Sequence, residues 1–348
     1  MEGVLRRLNR DDVVDEAFRR AFRRERVLCD HSNPLEMYDD LNLYLRFRFD
    51  RQGIIDLAAM LAPSLNSHTT KGRPIAPVAQ VPIALRFYAS GSFQTVAGDS
   101  VQVSQPTVSR IIHRVSLAVA NRLNNFMAYP TAPTEVACIR QQFFEIAGFP
   151  GIVGVVDGTQ IKIKAPSANE IDYVGRKGGH TINVHRVGLP DDSLSHVLAK
   201  YPGSAHDARI FWKSFLYADL VAGRKQGRSI GDSVYALSYF LLKPLPNPMI
   251  VPEERYQQPL LTTRATVECA FGQLKGRWNC LHQELRYSPD RSGAIVVACF
   301  ALHNYAVMRR LLNIPLLDDG IIVVENVTDV RVHDGRARQM QIIHQCFS

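Results

Sequence analysis

The residue that most constrains the fold is an aspartate placed directly behind an apolar run. Residues 151–156, GIVGVV, are typical of a buried central strand, and Asp157 follows them at once. Ile161 and Ile163 then alternate with polar residues, as in a strand with one buried face. A charge in this setting must be paired, bound to a metal or neutralised, because an isolated buried charge is costly. The pattern therefore predicts a buried strand in which Asp157 is a candidate functional residue.

Three further acids occupy informative positions. Asp232 comes close behind a second short apolar strand, in SIGDSVY, and Glu268 lies beside the apolar stripe of a predicted helix, in TVECAFGQLKGRW. Asp207 lies in PGSAHDARIF, where a turn leads into a helix, and an acid there is also explained as an ordinary first-turn residue. Carboxylates that converge from two strands and a helix provide the oxygen ligands that Mg²⁺ prefers. Two such ions about 3.5–4 Å apart are suited to phosphodiester cleavage.

The second half of the chain predicts a mixed α/β domain. After residue 148 the pattern runs strand, hairpin with its turn at 189–193, helix, short strand and helix. An apolar helix at 293–312, a loop at 315–332 and a closing helix at 336–347 complete it. Strands interleaved with helices in this way indicate the α/β class. We therefore place the α/β domain in residues 131–348 and a helical region in residues 1–130.

The helical region contains the order of elements expected of a helix-turn-helix unit, at about residues 75–125. An apolar helix ends at Gly91, a short helix and a turn follow, and a long helix begins after Ser104. Arg110 and Arg114 lie on the outer side of that long helix, near its N-terminal half, where side chains can reach DNA. Ordinary helix packing explains the same pattern equally well.

Charge and cysteine usage narrow the functional classes. The net charge of +8 and a pI near 9.2 permit a polyanionic partner without requiring one. A basic amphipathic helix predicted at 11–26 suits either phosphate contacts or packing on the main body. The six cysteines form no Cys-x-x-Cys pair and no zinc spacing, so we expect reduced, mostly buried thiols. No stretch reaches the roughly 18 apolar residues of a membrane helix, and we expect an intracellular protein without a membrane partner.

Several long blocks of the sequence resemble the PIF/Harbinger transposases and the Harbinger transposase-derived nucleases of animals. In chain order they are ALRFYASGSFQTVAGDSVQVSQPTVSR, FFEIAGFPG, GVVDGTQIKIKAP, GRKGGHTINV, YPGSAHDARIF, IGDSVYAL, TRATVECAFGQLKGRW and ACFALHN. The resemblance covers roughly residues 30–312, and the closing GRARQMQIIHQCF is also similar.

The resemblance implies an RNase H-like DDE nuclease core that cleaves DNA and transfers strands with a divalent cation, Mg²⁺ or alternatively Mn²⁺. It places the catalytic and metal-binding acids at Asp157, Asp207, Asp232 and Glu268. In that fold the first acid lies on the first strand, the second on or after the fourth, and the glutamate on a later helix. The triad would then be Asp157, Asp232 and Glu268, with Asp207 as a fourth ligand or an alternative second acid.

Basic residues near the acids fit the same resemblance. Lys275, about two turns after Glu268, resembles the residue with which DDE enzymes often hold a DNA phosphate, although a solvated helix lysine has the same pattern. Scattered cations also give salt-dependent, sequence-independent DNA binding; those predicted here are Lys162, Lys164, Arg176 and Lys177. The resemblance further implies a Myb-like partner protein and a nuclear location with a cytoplasmic pool. Whether the protein forms a homo-oligomer stays an open question at this point.

The chain departs from the family pattern in three places. Val234 occupies a position that is usually small, QQPLLTTR precedes Glu268 where relatives carry Asn and His, and VHRVGLP at 184–190 is less uniformly apolar. Every acid is retained, so we expect an intact fold and metal site. Two alternatives stay open: a domesticated transposase that acts as a DNA-binding or adaptor protein, and a metal phosphoesterase for small phosphorylated substrates.

Overall fold

The computed structural model of the chain describes residues 33–66, 75–92, 94, 98, 103–311 and 334–347. Three predicted segments lie wholly or mostly outside these ranges. They are the basic helix at 11–26, the middle helix of the helix-turn-helix unit and the loop at 315–332. The helix-turn-helix unit therefore stays a prediction.

A five-stranded mixed sheet forms the centre of the α/β half. Its strands are β1 (Ile152–Lys162), β2 (Thr181–Gly188), β3 (Leu194–Pro202), β4 (Arg228–Ile230) and β5 (Leu241–Leu242), in the order β3-β2-β1-β4-β5. β2 pairs antiparallel with both β1 and β3, whereas β4 pairs parallel with both β1 and β5. β1 is therefore the central strand, which accounts for its buried apolar residues 152–156.

The sequence pattern predicted most of these strands. β2 and β3 form the predicted hairpin, and its turn is closed by a hydrogen bond from the Leu189 N–H to the Ser193 carbonyl (2.9 Å). β1 is one continuous strand, so Asp157 lies inside it and not behind its end. β5 was not predicted, because a strand of two residues is too short to show an alternating pattern.

Helices cover the sheet and form the N-terminal region. In the described part of the chain they are α1 (Pro34–Met37), α2 (Asp40–Phe47), α3 (Arg51–Leu65), α4 (Pro77–Ser90), α5 (Gln105–Ala120), α6 (Pro133–Ala147), α7 (Asp207–Trp212), α8 (Phe215–Val221), α9 (Val251–Arg277), α10 (Pro289–Met308) and α11 (Asp334–Cys346). Short 3₁₀ helices occupy Leu123–Asn125, Glu170–Tyr173 and Asn279–Leu281.

The predicted boundaries of α4 and α5 are confirmed. Gly91 ends α4 with a φ of 64°, a left-handed conformation that glycine adopts without strain. Ser104 is the N-cap residue of α5, although its hydroxyl bonds the Thr107 hydroxyl (3.0 Å) and not a backbone N–H.

Three helix predictions were wrong in detail. The sequence pattern predicts a helix at 51–61 that stops before Pro63, but α3 continues to Leu65, because a proline in the last turn removes only one backbone hydrogen bond. The single helix predicted after Asp207 is two helices, since the Ser214 hydroxyl accepts from the Tyr217 N–H (3.1 Å) and caps a new one. α9 starts at Val251, whereas the sequence pattern predicts a helix that starts at residue 262.

The helical region and the sheet share one hydrophobic cluster. Trp278, just beyond α9, is fully buried and packs against Phe49 and Tyr88, with ring centroids 6.0 and 6.2 Å away. The same cluster takes side chains from α10, β2 and β3. A second cluster surrounds β1, β4 and β5 and includes Phe149 and Tyr256, whose ring centroids are 5.3 Å apart. The N-terminal helices therefore pack directly against the α/β half.

α9 and α7 cover opposite faces of the sheet. Directly opposed residues of an antiparallel pair share a face, and the register of β1 and β2 pairs Asp157 with Arg186 and Gly158 with His185. α9 covers the first of these faces, because Arg186 donates a hydrogen bond to a carbonyl of that helix (3.4 Å). α7 covers the second face, where Phe211 stacks on His185 with ring centroids 5.4 Å apart.

α10 is the core helix of the C-terminal half. By length and composition alone this 20-residue helix is apolar enough to cross a membrane, with a mean hydropathy of 1.2 over an 18-residue window. However, 72% of this stretch is buried inside the fold. Its apolar character is therefore accounted for by packing in the core.

The described cysteines carry free thiols. Cys280 and Cys299 are buried, with their sulfur atoms 3.7 Å apart. Cys138, Cys269 and Cys346 are exposed, so the expectation of mostly buried thiols is wrong.

The contact between β2 and α9 predicts the effect of a glycine substitution. A Cβ at Gly188 would overlap Cγ1 of Val267, a stiff β-branched side chain, whereas a Cβ at Gly179 would meet no atom within 4 Å. We expect Gly188→Ala to lower the free energy of unfolding by about 1–3 kcal/mol, as overpacking typically does. Gly179→Ala is the matched control and should change it by less than about 0.5 kcal/mol. Urea denaturation of both variants measures the difference, and equal midpoints would contradict the described packing.

Candidate active site

Two of the predicted acids lie side by side at the centre of the sheet. β1 and β4 are parallel neighbours whose register pairs Val155 with Ile230. Asp157 lies two residues further along β1, and Asp232 lies two residues further along the chain, just past the end of β4. The contact of Asp232 with Arg264 of α9 (3.4 Å) places it on the face that α9 covers.

α9 adds Glu268 and an arginine to the same place. Arg264 lies one turn before Glu268 and contacts both its carboxylate (2.6 Å) and that of Asp232 (3.4 Å). The two acids therefore lie within the span of one guanidinium group. Glu268 has 48% of its side chain exposed, against 24% for Asp157 and 21% for Asp232. The cluster is consequently open to solvent on the side of Glu268.

A buried arginine from β2 holds Asp157. Nη2 of Arg186 donates to Oδ2 of Asp157 (3.0 Å), and the arginine side chain is only 1% exposed. Its guanidinium carbon lies 4.4 Å from the centre of the Phe271 ring, and Nη1 donates to the Val267 carbonyl (3.4 Å). Because arginine keeps its charge in proteins, Asp157 has a permanent counter-ion.

Asp207 approaches from the opposite face. It begins α7, and its carboxylate fills the space beside Gly158, where a Cβ would overlap it. Nδ2 of Asn183 donates to Oδ1 of Asp207 (2.5 Å) and fixes its orientation. Gly158 is therefore required for Asp207 to reach β1, directly behind Asp157.

The electrostatics of the cluster favour protonation of two acids. Burial raises the pKa of Asp207, the hydrogen bond from Asn183 opposes the shift, and the charge of Asp157 adds to it. Burial also raises the pKa of Glu268, where Arg264 opposes the shift and Asp157 adds to it. The carboxylates thus lie close enough to repel one another.

The donor set suits a hard divalent cation. In the part of the chain that the structure describes, no three His, Cys, Asp or Glu side chains are arranged to hold a metal ion as they stand. Burial raises the pKa of the Tyr235 phenol, and the charges of Asp207, Asp157 and Asp232 add to the shift, so all three acids act on the same buried phenol. Mutual repulsion among carboxylates is what an oxygen-preferring cation relieves.

Comparisons with known proteins show the family of this chain. A family model described as DDE superfamily endonuclease matches residues 156–304, which contain all four acids. Proteins named "Putative nuclease HARBI1" from Bos taurus and Homo sapiens are each 36% identical over 277 residues, covering 78% of this chain and 79% of the relative. The chain belongs to the Harbinger transposase-derived nuclease family. "Protein ALP1-like" from Arabidopsis thaliana is 26% identical over 270 residues, covering 72% of this chain and 65% of the relative. No solved structure gives a significant match.

The resemblance to the Harbinger family drawn from the sequence blocks is thereby confirmed. The relatives cover the helical region as well as the sheet, since 277 aligned residues exceed the length of the α/β half alone. The names of the two mammalian relatives describe a putative nuclease and assign no catalytic residues. The roles of the acids in this Harbinger-family chain therefore rest on its own geometry.

The basic residues predicted beside the acids lie at different distances from them. Arg176 opposes the burial-driven rise in the pKa of Asp207 and so lies near that acid. Lys162 is exposed and shares its strand face with Gly158, opposite the face of Asp157. Lys275 lies over the Phe271 ring, with Nζ 4.8 Å from its centre. Of the remaining predictions, Lys164 and Lys177 are exposed on the surface.

The two arginines of α5 lie in the helical region, away from the acids. Arg114 donates to the Leu65 carbonyl (2.8 Å), so it ties α5 to the end of α3. Arg110 is exposed and contacts the Thr107 hydroxyl (3.1 Å). Arg114 thus has a structural partner that the sequence pattern did not indicate.

Sequence reasoning missed three residues of the site in this Harbinger-family chain. Arg264 had a usable signal, because it lies four residues before Glu268 on one helix face. Arg186 and Asn183 had none, since their partners Asp157 and Asp207 are reached only through strand pairing and packing.

The raised pKa of Asp207 predicts a stabilising substitution. A folded-state pKa above the unfolded value means that the charged carboxylate costs stability above that pKa and that the cost disappears at lower pH. Asp207→Asn removes the charge and keeps the oxygen that accepts from Asn183. In metal-free buffer at pH 7 we expect the Tm to rise by about 1–3 °C, with a smaller gain at acidic pH. Calorimetry with a chelator at both pH values measures this.

Asp219→Asn is the matched control for that experiment. Hydrogen bonds from Lys225 and Arg224 lower the pKa of Asp219, so its charged form is favoured. Its substitution should leave the Tm unchanged or lower it. A Tm gain for Asp207→Asn that did not depend on pH would contradict the electrostatic explanation.

Proposed function

We propose that this protein is a divalent-metal-dependent nuclease that cleaves DNA phosphodiester bonds and transfers strands, with an RNase H-like core. The observation that carries the proposal is the placement of Asp157 on β1 and of Asp232 just past the end of the adjacent parallel strand β4, each two residues after the aligned pair Val155 and Ile230, with Glu268 on α9 joined to Asp232 through Arg264. In an RNase H-like triad the first acid is expected on the first strand, the second on or after the fourth strand, and the glutamate on a later helix, which is the order found for these three acids. Family membership supports the same activity.

Each residue of the cluster has a proposed role. Asp157, Asp232 and Glu268 would hold the cation, and Asp207, oriented by Asn183, would serve as a fourth ligand. When bound, Mg²⁺ or Mn²⁺ lowers the pKa of the attacking water and offsets charge at the scissile phosphate. In the absence of a cation, Arg264 keeps Asp232 and Glu268 together.

An open site favours a polymer over a small substrate. Two cavities of the described residues, with volumes of about 470 and 160 Å³, are lined by none of the four acids. Glu268 is half-exposed, and Arg176 and Lys177 lie on the surface of the same half. A phosphoesterase for small substrates needs an enclosed pocket at the acids, so we favour DNA as the substrate.

A second candidate is a domesticated transposase that binds DNA or an adaptor without cleaving. Three of the four acids already carry an arginine partner, Arg186 or Arg264, and a protein that no longer needs metal can keep such pairs. The Myb-like partner, the nuclear location with a cytoplasmic pool and a homo-oligomer belong to the same proposal and rest on the family alone.

The nuclease proposal predicts a loss of cleavage with isosteric substitutions. Asp157→Asn and Glu268→Gln keep the side-chain shape but remove the charge that binds the cation. We expect each to lower Mg²⁺- or Mn²⁺-dependent cleavage of duplex DNA by at least about 100-fold. A supercoiled-plasmid nicking assay at fixed metal concentration measures the rate.

Glu145→Gln is the control for those variants. Glu145 is exposed on α6 and bonds only Gln141 among the described residues (3.0 Å), so cleavage should not change. Cleavage that survived Asp157→Asn would overturn the nuclease site. DNA binding without any cleavage by the unsubstituted protein would instead favour the adaptor.

DNA binding by the exposed lysines predicts a change in salt dependence. If Lys162 and Lys164 contact phosphates, replacing both with alanine should lower affinity and reduce the slope of log K against log salt by about 2. Lys200→Ala, on the edge strand β3, is the control and should leave the slope unchanged. Fluorescence anisotropy in a metal-free buffer, where no cleavage occurs, measures both. An unchanged slope in the double variant would exclude these phosphate contacts.

A further inference from the structure

Arg186 stands out because it carries a full positive charge inside the core beside the acid that leads the site. Its side chain is 1% exposed, and it lies directly opposite Asp157 in the β1–β2 register. A buried charged pair is costly to form, and removing one partner leaves the other uncompensated. The positive charge of Arg186 and the negative charge of Asp157 therefore depend on each other for compensation, which would not hold for an exposed arginine nearby.

Three contacts orient the guanidinium group of Arg186 toward Asp157. One side of its guanidinium group faces the Phe271 ring at 4.4 Å, and Nη1 donates to the Val267 carbonyl at 3.4 Å. Its remaining end donates to Asp157 at 3.0 Å. Contacts with β1 and α9 thus fix its position in three directions.

The other arginine of the cluster is placed differently. Arg264 spans Asp232 and Glu268, and Glu268 is half-exposed, so this bridge lies at the solvent side of the site. The Arg264 side chain is 11% exposed, against 1% for Arg186, which contacts Asp157. Water therefore screens the charge of Arg186 less than that of Arg264.

We propose that Arg186 is a resident counter-ion of Asp157 that competes with the divalent cation, so that it sets a low metal affinity for this site. The inference rests on the proposed metal-dependent function. Two positive charges held by one carboxylate in a poorly screened setting repel each other, and arginine cannot lose its proton to relieve the repulsion. Arg186 acts through Asp157 and is a positioning residue that contacts no substrate.

The test is Mn²⁺ binding to the full-length protein without DNA, measured by electron paramagnetic resonance of the free ion. Arg186→Met removes the charge and keeps an unbranched side chain against Phe271, and Arg186→Gln is a second neutral variant in case the first does not fold. We expect both to bind Mn²⁺ about 10- to 100-fold more tightly, the range typical of outer-shell changes at metal sites. Thermal unfolding should show a correspondingly larger shift with added Mn²⁺.

Two further variants separate the possible causes. Arg140→Met removes the same charge from an exposed position on α6 and should change the affinity by less than about threefold, because water screens it. Asp157→Asn should abolish the binding. Affinity that stayed equal or fell in both Arg186 variants, while Asp157→Asn still abolished binding, would overturn the counter-ion inference and leave the nuclease proposal standing. Mn²⁺ binding that was absent, or indifferent to Asp157→Asn, would overturn the proposed function and this inference with it.

Discussion

The parallel pairing of β1 with β4 determines where every other part of the site can lie. It aligns Val155 with Ile230, and this register brings Asp157 and Asp232 to the same level of the sheet. β2 on the other side of β1 then fixes the arginine that opposes Asp157, and α9 crosses above with Glu268. A shift of one residue in either pairing would move these side chains to the opposite face.

Placing several carboxylates at the centre of a sheet is costly, and the fold compensates with fixed partners. Arg186 balances Asp157, Arg264 balances Asp232 and Glu268, and Asn183 satisfies Asp207 by a hydrogen bond. Burial and mutual repulsion still raise the pKa values of Asp207 and Glu268. The carboxylates therefore outnumber the arginines that compensate them, and a bound cation would be stabilised by the remaining negative charge. The two arginines differ in burial, since the Arg186 side chain is 1% exposed and that of Arg264 is 11% exposed.

Local signals predicted much of the fold. The hairpin of β2 and β3, the glycine end of α4 and the start of α5 after Ser104 all follow from turn and capping chemistry within a few residues. The errors occurred where local signals compete. The Ser214 cap divides a run that is apolar enough for one helix, and α3 tolerates Pro63 in its last turn.

The sequence by itself singled out the four candidate acids, because Asp157 and Asp232 follow apolar strand runs and all four acids lie in blocks that resemble one family. Only the tertiary structure decided how they are used. The strand register and the crossing of α9 place Asp232 beside Asp157 and set Asp207 behind β1. The same contacts supply Arg186, which no local pattern links to Asp157. Such partners are set by strand pairing and packing between segments that are distant in the sequence. The periodicities of helices and strands describe only local structure, so they cannot predict this pairing.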